Sequence, residues 1–168
     1  RLCHENACQN EGGTLLSIDN TMMSPILQRP LEMGADIVIH SATKFMAGHS
    51  DVMAGVAIVR DVDDGANKKL AESLYFYQNA EGTALAPFDC WLVARGLKTM
   101  ALRVRKQQEN AMQVAAWLES NPLFTRVYYA GMESHPDYDI HVTQASGGGS
   151  VVCFETGNLE LSQHIVTS

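Results

Sequence analysis

The stretch Ile37-Val38-Ile39-His40-Ser41-Ala42-Thr43-Lys44-Phe45 decides how this chain is read. Its first three residues are apolar and β-branched, the content and length of a buried strand. Lys44 stands just past the end of that strand, where ligands bind in open α/β sheets. The hydroxyls of Ser41 and Thr43 lie close enough in sequence to hold an anionic group that the lysine also touches. Upstream, Thr14-Leu15-Leu16-Ser17-Ile18 reads as a second strand and ends in Asp19. If the two strands are parallel neighbours, both carboxyl ends open on one edge, and Asp19 and Lys44 face one bound molecule from two sides.

An amine, a carboxylate and paired hydroxyls suit pyridoxal 5'-phosphate. That cofactor needs a lysine for a Schiff base, an acid to keep its ring nitrogen protonated and donors for its phosphate. Taken singly, each feature has a plainer reading. A lysine after a strand is more often a solvated surface residue, and an aspartate at a strand end is more often a turn or cap.

The ordered set of motifs says more. Asp19-Asn20-Thr21, Gly34-Ala35-Asp36-Ile37-Val38, Ser41-Ala42-Thr43-Lys44-Phe45, Gly48-His49-Ser50-Asp51 and Arg95-Gly96-Leu97-Lys98-Thr99 together resemble the Cys/Met-metabolism family of pyridoxal-phosphate enzymes. Within it, Met23-Ser24-Pro25, Met46-Ala47-Gly48-His49 and Gln78-Asn79-Ala80-Glu81-Gly82 are most similar to the plant-type cystathionine β-lyases. The resemblance implies an α/β chain. It would be part of an aspartate aminotransferase-like (fold type I) large domain with a mostly parallel sheet over residues 1–87. A linking helix and the start of a small α/β C-terminal domain would follow over 88–168. It further implies Lys44 as the Schiff-base lysine and catalytic base, Asp19 on the ring nitrogen, and Ser41 and Thr43 on the phosphate. The implied reaction is β-elimination of cystathionine to homocysteine, pyruvate and ammonia. The same lysine and carboxylate serve γ-lyases and γ-synthases of the family, so those activities stay open. A homotetramer and an intracellular site, cytoplasm or plastid, go with the likeness.

The family's phosphate-binding loop, its stacking tyrosine, a tyrosine from the neighbouring subunit and the arginine for the substrate carboxylate have no counterpart in these residues. The chain opens on Arg1 and closes within a helical pattern, which reads as a fragment. A second reading is therefore a catalytically silent piece with unpaired strand edges, prone to aggregate.

Composition bounds the alternatives. At 168 residues, 46% apolar and 18% charged, the chain has the size and content of a globular domain. A net charge of -7 argues against nucleic acid or anionic membrane as the main partner. No apolar run approaches the roughly 20 residues of a membrane span. Cys3, Cys8, Cys90 and Cys153 are scattered as reduced thiols would be, not as a disulfide framework. Cys3, His4 and Cys8 lack a second ligand pair and read as helix-face residues.

Along the chain, Arg1–Asn10 reads as the end of a helix and Gly12-Gly13 as a turn. A short helix is expected around Pro30–Met33, closed by Gly34. Phe45–Asp51 is a loop, and Met53–Val59 is a buried strand in which Gly55 permits close approach. Asp61–Ala66 is a charged connection. Lys68–Phe76 is helical, and Gln78–Ala86 is a polar loop. Pro87 starts a helix with Phe88, Trp91, Leu92, Arg95 and Thr99 on one face and a kink at Gly96. Thr99–Glu119 is a long amphipathic helix. Met100, Val104, Ala111, Val114, Ala115 and Leu118 face inward, Arg103, Lys106, Gln107 and Glu109 outward, and Asn121-Pro122 ends it. Thr125–Tyr129 and Ser150–Phe154 are strands joined by a polar loop. Gly147-Gly148-Gly149 is a turn or bulge, with no Gly-Lys-Ser/Thr to make it a phosphate cradle.

Overall fold

The computed structural model describes residues 14–60 and 65–168, which form two compact units, one ending at Ala101 and the other spanning Leu102–Ser168. The expected N-terminal helix, the Gly12-Gly13 turn, the Cys3, His4 and Cys8 group and most of the acidic connection lie outside the described residues.

In the first unit β1 (Ser17–Asp19) pairs in parallel with β2 (Ile37–Ser41), and β2 pairs with β3 (Gly55–Val59). The second pairing is antiparallel, so the described strands form one parallel and one antiparallel pair. The reason is local. Residues 42–54 fold back on themselves, and Thr43 closes the base of the loop by bonding the main chain of Ala54, which leaves no crossover long enough for a parallel return.

Between β1 and β2 the helical turn is α1 (Ser24–Leu27), upstream of the position expected from Pro30. Pro25, not Pro30, supplies the first-turn proline. Buried Asn20 fastens the segment by donating from Nδ2 to Ser24 O (3.2 Å) and Gln28 O (2.8 Å). Pro30–Met33 is a turn that ends at Gly34, whose φ of 110° only glycine adopts freely.

The helix α2 (Gly65–Glu81) runs through Gln78–Glu81, expected as loop, and stops at Gly82 with φ 70°. Pro87 does open α3 (Pro87–Leu97). The buried face of α3 is Val93 and Gly96, continuing to Met100, while Phe88, Trp91 and Arg95 point outward as an exposed stack. Gly96 is a contact rather than a kink. A Cβ there would stand 2.1 Å from Ala47 O and 2.7 Å from Ala47 C. Gly55, by contrast, has only His40 O at 4.0 Å, so no close neighbour explains it.

In the second unit α4 (Met100–Ser120) buries Val104, Ala111, Ala115 and Leu118 at helical spacing. Val114 is exposed, and Arg103 and Gln107 are half-buried, departures from the expected wet and dry faces. The strands β4 (Arg126–Tyr128) and β5 (Cys153–Glu155) pair antiparallel. The loop between them contains α5 (Tyr138–Gln144), missed because it has no buried face to give a period, and α6 (Leu159–Thr167) closes the chain. The core gathers Ala111, Ala115 and Tyr129, with Val127, Met132 and Val152 packed on it. Tyr129 donates to Gly149 O at 2.8 Å. Within the glycine triplet, backbone packing requires Gly148, and Gly149 has a positive φ of 76°. A Cβ on Gly147 would meet Gln108 Oε1 at 2.0 Å, and one on Gly148 the Gly131 backbone at 2.5 Å.

Gly96→Ala offers a test of the α3 contact. Alanine gains up to about 1 kcal/mol in helix propensity. Displacing a backbone costs about 1–3 kcal/mol or more. The expected result is a net loss of about 1 kcal/mol or more, read as a lower urea midpoint with unchanged slope.

Candidate active site

The site is set by the register of the two parallel strands. Asp19 is opposite Ile39, and Asn20 extends the ladder by donating to Ile39 O at 2.9 Å. Side chains alternate along a strand, so Asp19, Ile39 and Ser41 share one face, and Val38 and His40 take the other. Burial follows this alternation. Val38 and His40 are buried, whereas Asp19 and Ile39 are exposed and Ser41 is half-buried. On β3 the partners of Ile39 and Ser41 are Ala57 and Gly55, both small and exposed. The result is a shallow, open face with a carboxylate at one side and a hydroxyl at the other.

Lys44 follows in a tight turn. Its N–H donates to Ser41 O at 3.1 Å, and Gly48 N–H donates to Lys44 O at 2.8 Å. The side chain is exposed above a buried floor of Ala42, Met46 and Ala47. Asp19 and Lys44 therefore both leave the carboxyl edge of β1 and β2, the position at which open α/β sheets bind ligands.

Thr43 behaves differently from Ser41. Its Oγ1 accepts from Ala54 N–H (2.9 Å) and donates to Ala54 O (3.2 Å). An anion at Thr43 would have to compete for that proton. Thr21, to which the sequence reading gave no role, stands at the centre of the edge. Its N–H and hydroxyl donate to Asp19 Oδ1 at 2.9 and 2.6 Å, and its Oγ1 accepts from Ser41 N–H at 2.8 Å. The available signal was the Asp-x-Thr spacing, which suits an Asx turn. Among the described residues, the non-glycine residues with positive φ are Ser24 (57°) and Ser50 (56°), one on each loop leaving this edge.

The hydroxyl of Thr21 first, and its N–H second, hold the Asp19 carboxyl below its ordinary 3.8; burial opposes them more weakly, and His40 adds the smallest lowering. Burial pushes His40 below the ordinary 6.5, and Asp19 opposes the shift. Asp19 is thus an ionised acceptor at neutral pH, and His40 a neutral ring under the sheet.

This donor set fits pyridoxal 5'-phosphate. An ionised carboxylate can hold a pyridinium nitrogen, an exposed amine can bond an aldehyde, and the Ser41 hydroxyl can donate to a phosphate.

The sequence matches the family described as "Cys/Met metabolism PLP-dependent enzyme" over residues 3–168. Among curated proteins, a chloroplastic cystathionine β-lyase of Arabidopsis thaliana is 58% identical over 92% of this chain and 32% of its own length. Among solved structures, a cystathionine γ-lyase from Lactobacillus plantarum superposes with a TM-score of 0.79 at 41% identity, over 84% of this chain and 36% of that one. A cystathionine γ-synthase from Xanthomonas oryzae pv. oryzae gives 0.83 at 38%, over 90% of this chain and 38% of that one. The chain spans about a third of the length of the curated relative.

The His40 shift makes stability depend on pH. Its native value is depressed, so the unfolded chain takes the proton first as pH falls. The contribution of the buried neutral ring is complete above 6.5 and is lost as pH drops through the lower native value. The urea midpoint should therefore fall on going from neutral pH into the acid range, and His40→Gln should flatten that slope.

Proposed function

Because the chain belongs to the Cys/Met-metabolism family of pyridoxal-phosphate-dependent enzymes, we propose that it is part of a carbon–sulfur lyase that cleaves cystathionine by β-elimination into homocysteine, pyruvate and ammonia. The observation that carries the site is the common edge of Asp19, Ser41 and Lys44 on two parallel strands. The choice of β-elimination is supported by the 58% identity to a protein named cystathionine β-lyase, against 41% and 38% to the γ-lyase and γ-synthase.

When bound, the cofactor supplies an aldehyde that captures amino groups and a protonated ring that accepts the electron pair left by loss of an α-proton. The chain's own residues hold and serve it. Lys44 Nζ would hold the aldehyde and, as a free amine, could take the proton from the substrate's α-carbon. The Asp19 carboxylate, ionised at neutral pH and hydrogen-bonded by Thr21, would keep the ring nitrogen protonated. The Ser41 hydroxyl would donate to the phosphate, and Thr43 could join it only by turning its proton from Ala54 O.

A γ-lyase or γ-synthase is the second reading, favoured by the structural likeness to enzymes of both names. The 168-residue polypeptide, a third the length of the curated relative, should lack lyase activity by itself. The assembled form proposed is a homotetramer.

The test uses a full-length protein carrying this sequence, with cystathionine as substrate. Pyruvate should exceed 2-oxobutyrate among the products; the reverse ratio would reject β-elimination. Lys44→Ala should lower kcat by about a thousandfold or more, and Asp19→Asn by about a hundredfold.

A further inference from the structure

We propose that Thr21 is a positioning residue: its hydroxyl fixes the Asp19 carboxylate against the end of β2, so that Oδ2 is the oxygen presented to the ring nitrogen of the cofactor. The proposal rests on the cofactor reading above and adds to it a residue that holds the acid in place.

The argument starts from proton directions. The Ser41 N–H can only donate, and it donates to Thr21 Oγ1 at 2.8 Å. That occupies one lone pair of the hydroxyl and directs its proton away from β2. The proton meets Asp19 Oδ1 at a heavy-atom distance of 2.6 Å, within the range of a charge-assisted O–H to carboxylate bond. Thr21 N–H brings a second donor to the same oxygen at 2.9 Å. With Oδ1 holding two donors, an incoming N–H finds Oδ2, which no described residue hydrogen-bonds.

Thr21 is buried, with 8% of its surface exposed, so water reaches its donors less readily than it reaches the exposed carboxylate. The same hydroxyl also reaches the main chain of Ser41, the residue assigned to the phosphate. One side chain thereby sets the spacing between the group that takes the ring nitrogen and the group that takes the phosphate. A carboxylate held only by its own χ angles would sample other rotamers and meet the ring less often.

Thr21→Val removes the hydroxyl and keeps both shape and backbone N–H; Thr21→Ser keeps the hydroxyl. In the full-length protein, affinity for pyridoxal 5'-phosphate and the pH dependence of the bound cofactor's visible band are measured beside the melting temperature. His40, on β2, is the described titratable group whose charge acts on Asp19, so the band is followed also in His40→Gln to separate its titration. Thr21→Val is expected to weaken cofactor binding about tenfold and to move the band's pH midpoint. Thr21→Ser is expected to restore both. A folded Thr21→Val with parental affinity and band overturns the proposal. If Thr21→Val and Thr21→Ala do not fold while Thr21→Ser does, the hydroxyl is structural and the proposal is likewise overturned. Asp19→Asn separates the two levels. Unchanged cofactor affinity there rejects the cofactor reading itself, whereas a loss there without one in Thr21→Val rejects only the role of Thr21.

Discussion

Parallel pairing between β1 and β2, in the register that sets Asp19 opposite Ile39, governs the geometry of this edge. A slip of one residue would send Asp19 to the buried face beside Val38 and His40 and turn the acid into a buried charge. The register is held at both ends. Asp36 accepts from Leu16 N–H where the strands enter, and Thr21 bonds Ser41 N–H where they leave. Between these points the buried face carries Val38 and His40, so packing opposes any slip.

The second support is the contact of α3 with the loop that carries Lys44. Gly96 lets the helix backbone touch the Ala47 carbonyl, one turn beyond the lysine. The loop is then held from two directions, by the Thr43–Ala54 clasp at its base and by α3 at Ala47. The second unit uses the same device. Its glycine triplet admits the Tyr129 ring and the Gln108 amide into space that side chains would fill.

Much of the edge was legible in the residues. The β-branched run at 37–39 and the shorter apolar run ending at Asp19 are strand signals that depend on local composition, and strand ends place the residues that follow. Strand direction is not local. Nothing in Gly55–Val59 distinguishes a parallel from an antiparallel partner, because both present the same apolar alternation. The α1 turn was misplaced because Pro25 and Pro30 are equivalent as sequence signals, and only the buried Asn20 amide, bonding Ser24 O and Gln28 O, selects between them. Phe88, Trp91 and Arg95 do share one face of α3, the exposed one, while the buried contact uses Gly96, which has no side chain to signal it. Thr21 escaped for a related reason. Its bond to Ser41 N–H reaches a strand twenty residues away, which no local pattern shows.

Ser24 and Ser50 hold left-handed backbone angles that cost a side-chain-bearing residue about 1 kcal/mol each relative to glycine. Flexible loops shed such angles; they persist where surrounding bonds over-determine the chain. Ser24 and Ser50 lie on the two segments beside the candidate edge. A molecule bound at this edge, as proposed above, would meet backbone angles whose cost was met when the chain folded.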